Sequence, residues 1–513
     1  MGPLKARSAV SRQRVVLVMI AHIFLLCGII AIGLLHRTVI ANTEDEIRFL
    51  CWALAGTIAW LVASWRLLGG SFSDAYLLFL AAAALFNGGQ CGLEILGLNR
   101  NGILDGRFSP ETICKTVYLV WLGIASLHCG ALAGLRQRRS IARVTSRGRE
   151  AACRLTGYIL IGISLVPAYL TLDEALSVVM SNGYSGLFGR DVPTGFGNTP
   201  WVLASFLVPG LLFALAGSRG RRKAVIGLAA IVALYAAGYF FMGCRGAAVM
   251  ALAAFAWLYH QCIRRVPRTV IVASALFLLF LLPLIAGLRT TAGEWRLSAD
   301  AIRQQIDAAG TPLPIAAVAE IGRSMMTISY TLDLVPAVRA LDYGASYCWA
   351  ALTLIPNVGW DVHPTNSHVL LADWLVRTTD PSTAGRGGGL GFSFMAEAYL
   401  NFGWAGLPFA LGLIGWGLSR LFHWAESSGD PARKAVLASF LSFFLLYARG
   451  ESAVCVRALA WYSFLPYLCV CALTRWHPSP ARRPVQPASL SPEWRPQIGR
   501  HPGITGCGHG AAR

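Results

Sequence analysis

The stretch Val15–Leu35, VVLVMIAHIFLLCGIIAIGLL, carries one histidine and no charged residue. A bilayer's hydrocarbon core is roughly 30 Å thick and needs about 20 apolar helical residues to cross it, so this stretch alone is long enough to span. It lacks a small-residue cleavage site and is longer than a leader's apolar segment, so it is read as a retained first helix. Comparable runs recur at Phe49–Leu68, Ala75–Leu93, Ile113–Leu135, Leu155–Leu170, Trp201–Ala216, Ala224–Phe241, Ala247–Cys262, Thr269–Leu288, Phe402–Leu421, Ala435–Tyr447 and Ala458–Leu473. With 55% hydrophobic and only 13% charged residues over 513 positions, the chain is too apolar for a soluble globular protein. The expected fold is an all-α integral membrane protein of about 12 transmembrane helices.

The charge pattern orients these helices. If the N-terminus is cytoplasmic, 28 of the 44 Lys and Arg fall on the inner side, and every strongly basic short loop lies there. Both termini are then expected in the cytoplasm. The chain divides into spans one to nine (1–288), one long outward loop (289–400), spans ten to twelve (401–474) and a Pro- and Arg-rich disordered tail (475–513). In such a chain the formal charge of +19 serves orientation and contact with anionic membrane lipid, not nucleic acid. The 13 cysteines lie mostly in apolar runs and show no C-x-x-C spacing, so neither a disulfide framework nor a metal site is expected.

Chemistry is expected in the outward segments. Thr171–Pro200 reads as a short helix, Leu172–Ser181, followed by a Gly/Pro-rich binding loop. In the long loop, Pro314 to about Tyr343 has helical periodicity, which puts Glu320, Arg323, Thr327 and Tyr330 on one polar stripe; the plain alternative is an intrahelical Glu320–Arg323 pair. Tyr347–Pro356 is too short to span and is expected at the membrane surface, with Trp349 and Trp360 near the headgroups. The densest signal is GRGGGLGFSFMAEAYLNFG, Gly385–Gly403. A Gly-rich turn entering a helix exposes backbone N–H groups that suit a phosphate, and Arg386 adds a charge; the run lacks G-K-[ST], so no nucleotide is implied.

Glu397, at membrane-surface depth, must be paired, solvated or functional. It is the first candidate for a general base, with His368 and Glu320 in reserve; His363 and His368 are otherwise ordinary loop histidines. Arg245, Arg289, Arg323, Arg386, Arg449 and Arg457 are candidate pyrophosphate ligands because a guanidinium pairs two donors with phosphate oxygens. Snorkelling to headgroups is the competing use of each arginine. Tyr399 and Asn401, on the turn after Glu397, complete the candidate substrate-binding set. The spans hold almost no acidic residues, and no halves repeat, which weighs against an ion-coupled transporter.

Four motifs carry a family resemblance: FMGCRGAAV around Arg245, AEIGRSMMTISYT from Ala319 to Thr331, YGASYCWAALTLIP from Tyr343 to Pro356, and GLGFSFMAEAYLNFGWAG from Gly389 to Gly406. Together the chain resembles the Wzy-type O-antigen or oligosaccharide repeat-unit polymerases, over spans five to twelve most clearly. Some members carry R-x10-G in both main outward loops; Arg377 and Gly388 match here, whereas Arg190 meets Trp201 at that distance and departs from the pattern. The resemblance implies a glycosyltransferase of the bacterial inner membrane that joins undecaprenyl-diphosphate-linked oligosaccharides at the outer face. It implies no cofactor, and a flippase and a chain-length regulator as partners. An O-antigen-type ligase shares this architecture, and a multi-pass polysaccharide or lipid transporter is the reading from another class.

Overall fold

The computed structural model describes residues 11–39, 43–99, 101–135, 147–187, 199–287, 312–355 and 364–476, and these residues are helical with no strand among them. Arg289, Arg190, Trp360, His363 and the tail from 477 onward lie outside the described residues. Among the described residues, ten helices are long and apolar enough to cross a membrane. They correspond to ten of the expected runs. The eighth and ninth runs are also helices, Arg245–Cys262 and Arg268–Gly287, the second apolar only over the shorter stretch Arg268–Pro283.

The helices are α1 (Arg12–Val39), α2 (Thr43–Leu67), α3 (Ala75–Ile95), α4 (Pro110–Gly134), α5 (Arg147–Asn182), α6 (Thr199–Ala204), α7 (Leu207–Ala216), α8 (Arg222–Phe241), α9 (Arg245–Cys262) and α10 (Arg268–Gly287). Four short helices of the loop region follow α11 (Leu313–Gly322): α12 (Met326–Leu334), α13 (Ala345–Leu352), α14 (Leu371–Thr379) and α15 (Pro381–Gly385). The chain closes with α16 (Phe394–Glu426), α17 (Pro431–Phe444), α18 (Ser452–Arg457) and α19 (Leu465–Trp476).

Two helices organise the interior. The nearly enclosed α4 packs against α1, α2, α3, α12 and, along most of its length, α16. Small residues allow that approach: a Cβ on Gly130 would meet the Gly412 carbonyl, and one on Gly415 would meet the Leu127 carbonyl. The second half gathers around α17, which touches α5, α7, α9 and α19.

Several expected boundaries move. Leu172–Ser181 is no separate helix but the last turns of α5, because no breaker separates it from the fifth run. The expected helix from Pro314 does begin with proline in its first turn, yet it splits at a 3-10 turn, Arg323–Met325, and ends at Leu334. Pro336 accounts for that end: Val335, at φ −112° and ψ 125°, is held extended as a residue preceding proline tends to be. The 3-10 turn also dissolves the predicted polar stripe. It advances the chain by a different angle than an α-turn, so Thr327 faces inward at 1% exposure and donates to the Ser324 carbonyl. The helix that holds the tenth run starts at Phe394, eight residues before that run, and breaks at Gly403, whose φ of 60° only glycine adopts freely.

Candidate functional site

The first turns of α16 hold a buried, hydrogen-bonded polar cluster. Ser393 caps the helix, accepting from the Met395 N–H and donating to Asn87 Oδ1 at 2.8 Å. One turn on, Glu397 sits among Phe394, Met395, Ala398 and Leu400 at 1% exposure. A carboxylate in apolar surroundings persists only if its oxygens are satisfied. They are, by neutral donors: Ser346 Oγ reaches Oε1 at 2.8 Å, and the Ser452 N–H and hydroxyl both reach Oε2 at 2.8 Å.

These donors are themselves fixed. Asn401 Nδ2 donates to Ser346 Oγ and to the Glu397 carbonyl, while its Oδ1 accepts from the Gly344 N–H. Because Ser452 gives its proton to Glu397, the Tyr447 hydroxyl 2.9 Å away supplies the next donor in the chain. Glu397 and Asn401, four residues apart, thus tie α16 to the starts of α13 and α18. Beside them the Tyr347 hydroxyl is buried and finds no hydrogen-bond partner among the described residues, its ring stacked on Phe402. Burial first, and Glu397 second, push that phenol well above the usual range.

Glu451 does not join its neighbouring arginines. It accepts from the Leu371 and Ala372 N–H groups and so caps α14, and burial raises its pKa. Arg449 is exposed and lies over Phe86. Its backbone carbonyl accepts from Phe392, and the Gly-rich run passes beside it: a Cβ on Gly391 would stand 3.3 Å from that carbonyl and 3.4 Å from Nη2. Only part of the run is open to a ligand, since the N–H groups of Arg386, Gly387 and Gly388 turn back to the carbonyls of Thr383 and Ala384 and cap α15. Arg386 itself is exposed, 3.4 Å from Thr383 Oγ1.

The remaining candidates are spread out. Arg245, first residue of α9, pairs through both terminal nitrogens with Glu320 on α11 and also donates to the Leu282 carbonyl of α10. Arg323 meets Asp105 at 2.9 Å on the surface, so the intrahelical Glu320–Arg323 pair does not form. Tyr399 is buried and points its hydroxyl toward the Val335 carbonyl, 3.4 Å away. Arg457 is exposed. His368 is half-buried, stacked on Trp349 with ring centres 5.0 Å apart; burial and then Arg339 lower its pKa, against a smaller opposing effect of Asp342.

A family model described as O-antigen polysaccharide polymerase Wzy matches residues 17–477. The chain belongs to that family. No curated protein and no solved structure compared with it gives a match. In this Wzy family member the structure joins Glu397 with Asn401, and brings Gly391 to Arg449, but it keeps Arg245 with Glu320 and Arg323 with Asp105 in separate pairs. Sequence reasoning missed Ser346, Ser452 and Tyr447. Their signal is faint: Ser346 and Ser452 each stand two residues past a glycine at the start of a short helix, where hydroxyls are commonplace.

Proposed function

We propose that this Wzy polymerase works at the outer face of the bacterial inner membrane, with both termini in the cytoplasm, on undecaprenyl-diphosphate-linked repeat units. The bond between the anomeric carbon of the growing glycan and its lipid diphosphate breaks; a hydroxyl oxygen of the incoming unit forms the new glycosidic bond, and its proton passes to a base. The lipid diphosphate departs. The observation that carries this reading is the pairing of Gly391 with Arg449, which sets a guanidinium beside the Gly-rich backbone at the loop end. Fixed cations and N–H dipoles so placed stabilise charge growing on a diphosphate leaving group.

Accessibility orders the candidate bases. Glu397 is buried with three donors on its two oxygens, which suits holding α13 and α18 in place. Glu320 neutralises Arg245. His368 is reachable, and its lowered pKa keeps the imidazole neutral and able to accept a proton near pH 7. We therefore assign the base to His368 and positioning to Glu397.

The test is a gel profile of envelope polysaccharide from a deletion strain complemented with wild type, Arg449→Ala or His368→Ala. Single repeat units on the acceptor with no ladder, restored by wild type but by neither variant, is the expected result. Polymer that accumulates on its lipid carrier without transfer would instead assign a ligase, and an unchanged ladder after deletion would remove both readings.

A further inference from the structure

Outside the Glu397 cluster, two stacked pairs lie side by side on the loop region. Arg339 grips Asp342 through Nε at 3.1 Å and Nη2 at 2.6 Å, and its guanidinium lies 4.5 Å over the Trp374 ring. Trp349 and His368 form the second pair, nearly parallel at 11°. His368 stands three residues before α14, the helix that carries Trp374 beneath Arg339, and Arg339 and Asp342 both act on its charge, which brings the two pairs to one region. That region is anchored to the start of α16: the Asp342 N–H donates to the Leu400 carbonyl and the Tyr343 N–H to the Asn401 carbonyl. Tyr343 next to them is 80% exposed.

We infer that Arg339, Asp342, Trp349, Trp374 and His368 form a saccharide-binding platform for the pyranose rings of the O-antigen repeat unit, an inference that rests on the polymerase reading. One face of Trp349 is covered by His368, so its other face would receive the C–H face of a sugar ring, while the Arg339–Asp342 pair, supported from below by Trp374, offers directional donors and acceptors to the hydroxyls. Two tryptophans with a few placed polar groups match the make-up of a ligand site. Electrostatics separates this from a lipid phosphate site. The Arg339 guanidinium is already met by Asp342 at 2.6 Å, so an anion arriving there would compete with a carboxylate, whereas a neutral sugar can bond to the edges of the intact pair.

The platform also explains why polar residues outside the Glu397 network sit so near it. A glycan laid across Trp349 and the Arg339–Asp342 pair would be held next to His368, with its ring fixed against the same helix that Glu397 positions.

The experiment uses the full chain in lipid nanodiscs, with saturation-transfer NMR of lipid-free oligosaccharides hydrolysed from the host's own O-polysaccharide. Wild type should transfer saturation to the sugar protons; Asp342→Asn should weaken binding about tenfold, the size of one lost charge-assisted contact, and Trp374→Leu, which removes the ring beneath Arg339, should weaken it too. Asp342→Asn keeps the side-chain volume, so it reports binding even if Trp374→Leu disturbs α14. No transfer to wild type, or equal affinity in folded Asp342→Asn, overturns the platform. Single repeat units that bind as well as longer fragments identify the incoming unit as the occupant; a preference for longer fragments identifies the growing chain. The gel ladder keeps the two ideas apart: a ladder that survives deletion sinks the polymerase reading while oligosaccharide binding stands on its own result.

Discussion

Glu397 accepts two hydrogen bonds from Ser452, one from the backbone N–H and one from the hydroxyl, each 2.8 Å long, across 55 residues of sequence. The contact fastens the start of α18 to the first turns of α16. Replacing Glu397 with Ala leaves those two donors and the Ser346 hydroxyl without their acceptor, at about 1–3 kcal/mol for each group left buried and unpaired. Glu397→Ala should therefore fail to accumulate in the membrane. Glu397→Gln keeps the shape and one acceptor oxygen, so it should insert with a lowered apparent Tm and retain a weakened ladder. If both variants insert and melt like wild type, the fastening role is wrong.

Arg245 and Glu320 present a different kind of pair. Glu320 is 40% exposed and Arg245 14%, so solvent screens the interaction and its worth is about 0.5–1 kcal/mol. Glu320→Gln should lower the apparent Tm only slightly and leave the ladder in place. Arg245→Ala also removes the contact with the Leu282 carbonyl and should cost more. A double-mutant cycle on thermal stability measures the coupling. A ladder lost in Arg245→Ala but kept in Glu320→Gln, at equal protein levels, would mark a use of the arginine beyond the pair.

How far the sequence could be read follows from which forces act locally. Run length gave the helices, because crossing a bilayer demands a continuous apolar stretch and little else. Pro314 correctly marked a helix start, since proline's missing N–H is harmless there. The 3-10 turn at Arg323–Met325 was illegible: Arg-Ser-Met is equally compatible with an α-turn, and tertiary contacts chose between them. Gly403 hid within an apolar run, and only its φ of 60° shows the break. Glu397 stood out as a costly carboxylate, yet its partners, Ser346 and Ser452, lie 51 and 55 residues away in opposite directions. Arg339 and Asp342 had legible i, i+3 spacing but gained meaning only when Trp374 came underneath.

His368 gives the pH signature. Burial and the Arg339 charge lower its pKa below the usual 6.5, so the neutral ring that accepts a proton is fully present above that value. Polymerisation rate in vesicles should then be flat near neutrality and fall as pH drops through the lowered pKa, below 6.5. His368→Asn should remove this acidic limb along with most of the rate. An acidic limb that persists in the variant assigns it to another group.

Gly391 has a φ of 74°, and a side chain there would also crowd the Arg449 carbonyl and guanidinium. Gly391→Ala combines left-handed strain of about 1–2 kcal/mol with displacement of Arg449. The expected outcome is inserted protein with a shortened, fainter ladder. Gly389→Ala is the control, because a Cβ there meets nothing within 4 Å. Equal ladders from the two variants would separate Arg449 from this turn.

Tyr347 tests whether the cluster has an unfilled role. Its hydroxyl is buried, without a partner among the described residues, and close enough to Glu397 to feel its charge, an arrangement that costs about 1–3 kcal/mol unless something else completes it. Tyr347→Phe keeps the ring stacked on Phe402 and removes only the orphan group, so the apparent Tm should stay the same or rise. If the hydroxyl meets a substrate oxygen, the same variant must lose polymerisation while gaining stability. Measuring both in one preparation decides the point: a stable and fully active Tyr347→Phe leaves the hydroxyl without a part in the reaction.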